Sequence, residues 1–176
     1  MILKHLFKFT FLLYCFFLLF VTQLPLSFVM IFKGAGEVHC NFIPFRFLLN
    51  AYAQLNVVNQ NGFNLTDYLL PTILSNVKNF IQNIIIFIPM GFFLPNLFTK
   101  MITVTKTFVM CFLISMGIEL LQLFGMLSSL QYGRVLDVDD LLANSLGGVI
   151  GFALYLVYIN RIKPKIMGAI INKFGG

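Results

Sequence analysis

The amino-acid sequence predicts an all-α membrane protein, a bundle of about four transmembrane helices with a short interfacial helix in the first outer loop. Three observations lead there. The 176-residue chain is 59% hydrophobic and only 10% charged, beyond the roughly 45–50% apolar share of soluble domains. Four apolar runs are each long enough to cross about 30 Å of hydrocarbon at about 1.5 Å per helical residue. The Lys and Arg residues sit in short groups flanking those runs, where they act as topology signals.

The first run, "FTFLLYCFFLLFVTQLPLSFVMIF" at 9–32, follows a basic start with Lys4 and Lys8. It is longer than the apolar stretch of about 7–15 residues in a signal peptide and lacks an A-x-A-like cleavage site, so an uncleaved first span is expected. Residues 33–78 form the only long connection. Within it Phe45, Leu48, Leu49, Tyr52 and Leu55 recur at helical spacing with Arg46, Asn50 and Gln54 opposite, which predicts an amphipathic helix on the outer interface. The turn-rich "NQNGFNLTD" follows, with Asn64 or Thr66 placed to cap a helix. Apolar runs at 79–98, 101–124 and 139–159 complete the four spans. Pro25 and Pro89 fall inside spans, where neighbouring helices compensate for the lost backbone bond.

If both termini are cytoplasmic, eight Lys and Arg lie inside against Lys33, Arg46, Lys78 and Arg134 outside, which favours that orientation. The expected organisation is a cytoplasmic N-terminus at 1–8, a transmembrane domain at 9–160 and a basic cytoplasmic tail at 161–176. The net charge of +6 comes without a basic aromatic platform or a groove-reading helix, so no nucleic-acid partner is expected. Cys15, Cys40 and Cys111 are odd in number and scattered, and imply neither a disulfide framework nor a zinc site. No metal and no cofactor are expected.

The polar residues of the spans converge. Asp137, Asp140, Asn144, Gly147 and Gly151 are separated by three, four, three and four residues, so they form one stripe on a helix. Ala143, Gly147 and Gly151 add a small-xxx-small pattern for close helix packing. Ser115, Glu119 and Gln122 share a face of the third span, and Asn79 and Asn83 stand four apart at the outer end of the second. With the predicted topology these groups and Arg134 lie at one depth on the extracytoplasmic side. Asp139, off the stripe, reads as a solvated helix start favoured by the helix dipole.

Three roles are open to such a cluster. It can lock the register of the bundle, although intramembrane hydrogen bonds contribute only about 0.6 kcal/mol on average. It can bind a ligand, since an arginine beside amides and carboxylates suits a phosphate, a carboxylate or a sugar at the membrane surface. It can act as an enzyme if Glu119 and an aspartate have separated acidities, although neither His5 nor His39 joins it and no nucleophile elbow is present. The recognition site is the first expectation, with Asn83, Glu119, Gln122, Arg134, Asp137, Asp140 and Asn144 as its residues. An intramembrane enzyme modifying a lipid-linked envelope precursor is the alternative.

The stretches "NFIPF" at 41–45, "NIIIFIPMGFFLP" at 83–95 and "ISMGIELLQLF...GRVLDVDDLLANSLGGVIGF" at 114–152 together resemble the VanZ-like membrane proteins. The family pattern falls on Asn83, Pro89, Gly91, Glu119, Gln122, Arg134, Asp137, Asp140, Asn144 and Gly147. The name-giving member is associated with low-level resistance to the glycopeptide teicoplanin, without the peptidoglycan-precursor replacement performed by neighbouring enzymes. The resemblance therefore implies a multi-pass protein of the bacterial cell membrane. Its expected partners are the lipid bilayer and a lipid-linked envelope precursor or a lipoglycopeptide. The resemblance supplies no reaction.

Overall fold

The computed structural model describes residues 2–23, 39–52, 65–98, 102–127 and 135–166. In chain order it contains helix α1 (Ile2–Gln23), strand β1 (His39–Asn41), a short helix α2 (46–52), the long helix α3 (Leu65–Leu97), α4 (Val104–Leu127), strand β2 (Val135–Asp137) and α5 (Val138–Val157), which continues into a π-helical turn at Tyr158–Ile162. Four helices are long and apolar enough to cross a membrane, over His5–Gln23, Leu70–Leu97, Val104–Leu127 and Val138–Ile166. The chain is an all-α, multi-pass membrane protein.

The second span differs in extent from the sequence expectation. The second span is the C-terminal part of α3, whose 33 residues extend about 50 Å. The helix start expected at Asn64 or Thr66 matches the beginning of α3 at Leu65, and that helix runs straight on into the span. Pro71 does not break α3, and Pro89 and Pro95 also lie inside it. Near Pro89, which offers no N–H to the carbonyl of Ile85, the Tyr14 hydroxyl of α1 donates to the neighbouring Ile86 carbonyl at 2.7 Å. The first span is described to Gln23, so Pro25 and the rest of the run to residue 32 lie outside the described residues.

Helix α5 is the centre of the bundle, packed between α3 and α4, with its most extensive contact on α3. At the glycines that contact is made largely by backbone. A β-carbon added to Gly91 of α3 would stand 1.9 Å from the Gly148 carbonyl oxygen, and one at Gly151 would stand 2.0 Å from the Ile88 oxygen. At Gly147 it would stand 2.2 Å from the Ile84 oxygen. On the opposite side of α5, a β-carbon at Gly148 would meet the Cys111 sulfur of α4 at 2.4 Å. Ala143, fully buried, precedes these glycines by one turn. Small residues let helix backbones approach closely where no water is present to drive association.

The remaining core joins α1 to α3 and α4. Leu18, Phe87, Met90, Leu94, Cys111 and Ile118 are buried together, with Phe11 and Tyr14 packed against them. Leu18 is the only buried side chain among those described in α1. Phe9, Phe16 and Phe20 point outward, each more than half exposed, as suits a lipid-facing surface.

Replacing Gly91 with Ala forces a methyl group into backbone. Overpacking of this kind costs about 1–3 kcal/mol, sometimes more, so Gly91→Ala is expected to lower the thermal midpoint of the detergent-solubilised protein clearly. Gly117→Ala is the control, because a β-carbon there meets nothing within 4 Å and a helical Ala is favoured over Gly by up to about 1 kcal/mol. Equal midpoints for the two variants would contradict the close α3–α5 contact.

Candidate functional site: a polar cleft at one end of the bundle

The end of the bundle where α5 begins is organised by three aspartates. Asp137 ends β2 in extended geometry and caps α5, its Oδ1 accepting from the Asp139 N–H at 2.9 Å. The same oxygen accepts from Asn41 Nδ2 at 2.9 Å. Asn41 and Asp137 are also register partners in the parallel pairing of β1 with β2. A parallel pair needs a long crossover, supplied here by the whole of α2, α3 and α4.

Asp139 is buried at 7% exposure, and its Oδ1 accepts the Phe45 N–H at 2.8 Å. This corrects its reading as a solvated helix start. The bond holds a strained residue: Phe45 has φ of 54°, unusual for a bulky side chain, and its ring lies 5.7 Å from that of Phe80 on α3. The "NFIPF" stretch and the "DVDD" stretch are thus one structural unit. Asp140, the next acid along, accepts a short hydrogen bond from Asn83 Nδ2 of α3.

One helical turn deeper, Asn144 Nδ2 donates to Ser115 Oγ of α4 at 2.7 Å. Its Oδ1 is buried and has no hydrogen-bond partner among the described residues, a condition that costs about 1–3 kcal/mol where nothing else fills the role. Glu119 is 3% exposed and Gln122 6%. Gln122 Nε2 reaches across to the Thr22 carbonyl at the end of α1, at 2.8 Å.

These side chains surround a cleft of about 1060 Å³. Asn83, Glu119, Gln122, Asp137, Asp140 and Asn144 all line it, so six of the seven residues singled out from the sequence come together. The seventh, Arg134, lies outside the described residues. Ala143, Gly147 and Gly151 face helix packing and do not line the cleft.

The sequence reading placed Asn79 beside Asn83 but missed other residues of the lining. Thr72, Asn76, Asn79 and Asn83 follow one another at four, three and four residues along α3, and the first three join Asn83 in the cleft. The stripe was legible, but a span begun at residue 79 cut it in half. Asn41 and Asp139 carried no periodic signal. Arg46 and Asn50, expected on the polar face of the interfacial helix, line the cleft, while Leu48, Leu49 and Tyr52 on the other face are at least half exposed. Leu55 and Gln54 lie outside the described residues.

The fold and the cleft define the class: a multi-pass membrane protein whose spans enclose a polar recess at one end. The chain belongs to the VanZ/LLP1 family, whose model matches residues 11–159 and so takes in the whole described lining of the cleft. It is similar to Protein VanZ of Enterococcus faecium, at 30% identity over 122 residues that cover 68% of this chain and 70% of the relative. No solved structure matches.

A hydrogen bond to a charged acceptor contributes about 1.5–3 kcal/mol. Asp139→Ala is therefore expected to speed amide exchange at Phe45 by about tenfold or more, with Asp140→Ala leaving that amide unchanged. Hydrogen–deuterium exchange read at Phe45 checks this, and equal rates in wild type and Asp139→Ala would remove the clasp.

Proposed function

We propose that this chain lowers the susceptibility of a bacterium to teicoplanin by recognising a head group at the outer face of the cell membrane, that of a lipid-linked envelope precursor or of the lipoglycopeptide itself. The observation that carries the reading is the make-up of the cleft. Its end holds carboxylates, amides and Arg46, and its wall carries Phe17, Val21, Ile85, Ile86 and Ile118. A recess that is polar at the membrane end and apolar along its side matches an amphiphile rather than a soluble metabolite. The relative named VanZ supports the link to glycopeptide resistance. With both termini cytoplasmic, as the distribution of Lys and Arg favours, α5 begins outside and the cleft opens where such a ligand resides. Arg134, on the connection into β2, is read as a further anion contact.

The test is drug susceptibility in a sensitive bacterium expressing wild type, Glu119→Gln or Asp140→Asn, with membrane abundance followed by immunoblot. Wild type is expected to raise the inhibitory concentration of teicoplanin several-fold and leave vancomycin unchanged, and both variants to lose that protection at equal abundance. Full protection by both variants at wild-type abundance would show that the cleft is not where resistance originates.

A further inference from the structure

We propose that the end of the bundle opposite the cleft binds an anionic phospholipid, with an acyl chain in a groove between α1 and α3 and its phosphate at Arg161 and Lys165. The site is separate from the cleft and independent of the recognition role proposed there. It is built on aromatic packing. The ring of Phe7 on α1 stands 6.3 Å from that of Phe92 and 6.1 Å from that of Phe93, both on α3, and 6.0 Å from that of Tyr158 at the end of α5. Beside this wedge, Leu6, Phe7, Thr10, Phe92 and Phe93 line a groove of about 170 Å³. Thr10 is the polar side chain of that lining among the described residues, and its hydroxyl donates to the Leu6 carbonyl at 2.9 Å. Leu6 itself is more than half exposed, so the groove opens sideways. It offers its occupant apolar surface, which suits a hydrocarbon chain.

Charge selects the head group. Lys8, Lys106, Arg161, Lys163 and Lys165 are exposed at this end, and none of them makes an ion pair among the described residues. The acids among the described residues, Asp67, Glu119, Asp137, Asp139 and Asp140, lie in β2 or in the cleft-side halves of α3, α4 and α5. Protein carboxylates among these residues therefore do not neutralise the cations, and lipid phosphates are left to do so. Each Lys or Arg near a membrane surface favours an anionic lipid by about fivefold. Arg161 and Lys165 are the cations tied to the groove. They follow Tyr158 by three and seven residues, and the Tyr158 ring meets Phe92 of the groove edge-on at 5.5 Å. Tyr158 also opens the π-helical turn that carries Arg161. Turns of this kind are rare and frequently mark functional sites. Guanidinium and ammonium groups both donate to phosphate oxygens. A zwitterionic lipid brings an ammonium of its own into the same positive field and is disfavoured there.

Native mass spectrometry of the purified full-length protein in a neutral detergent tests this with two probes, phosphatidylglycerol and phosphatidylethanolamine of identical acyl chains. Wild type is expected to bind phosphatidylglycerol at least about tenfold tighter. Arg161→Gln combined with Lys165→Gln should weaken phosphatidylglycerol about tenfold or more and leave phosphatidylethanolamine unchanged. Lys106→Gln, on a helix that contributes nothing to the groove lining, should keep the preference. Thr10→Phe puts a ring into the groove from an exposed position and should weaken phosphatidylglycerol as well. Equal binding of the two lipids by wild type overturns the proposal, and that comparison needs no variant to fold. A preference that survives the Arg161 and Lys165 substitutions, or that Lys106→Gln reduces as much, would be a general effect of basic flanks and would overturn the site. Unaltered binding of phosphatidylglycerol by Thr10→Phe would overturn the groove as the seat of its chain.

Discussion

The rest of the bundle depends on the contact of α3 with α5 through Gly91, Gly147, Gly148 and Gly151, where backbone meets backbone without an intervening side chain. In lipid there is no hydrophobic gain from bringing two apolar helices together, so association relies on close packing. Glycine spacing fixes both how near the helices come and which faces meet. Once that face of α5 is committed to α3, the residues about one, two and three turns nearer its N-terminus, Asn144, Asp140 and Asp137, are carried to the same rim as Asn83 and Glu119. The polar recess is a consequence of where the glycines are.

The second constraint is the cost of unpaired polar groups at a bilayer. Near the α5 N-terminus it is met by long-range pairing. Asp137 caps its own helix and also takes Asn41, Asp139 takes the backbone of Phe45, and Asp140 takes Asn83. The first connection is thereby tied to the start of α5 across more than ninety residues of chain, and α2 is held with its apolar face outward and Arg46 over the cleft. Gln122 does the same for α1, whose own burial is slight, by donating to the Thr22 carbonyl near its end. Asn144 Oδ1, buried without a hydrogen-bond partner among the described residues, departs from this pattern.

Most of the architecture was legible along the chain because it is written in local periodicity. Four apolar runs of membrane length, the three-and-four spacing of the α5 stripe and the Ser115, Glu119, Gln122 face all follow from 3.6 residues per turn and hydropathy. The shortfalls have the same root. The second span was begun at Asn79, where the apolar run starts, so α3 was read too short and the Thr72 and Asn76 half of its polar stripe was lost. Asp139 stands off the stripe, and nothing within a few residues of it tells that its partner is the backbone of Phe45.

By itself the sequence determined a four-span helical membrane protein, the glycine face of α5 and the set of polar residues that share a level in the bundle, because each depends on neighbours within a turn or two. Only the tertiary structure decided which of those polar groups are spent on the protein and which face the cleft. That division depends on pairings such as Asn41 with Asp137 and Phe45 with Asp139. Their partners are distant in the chain and meet only after the α3–α5 contact has fixed where each helix end lies.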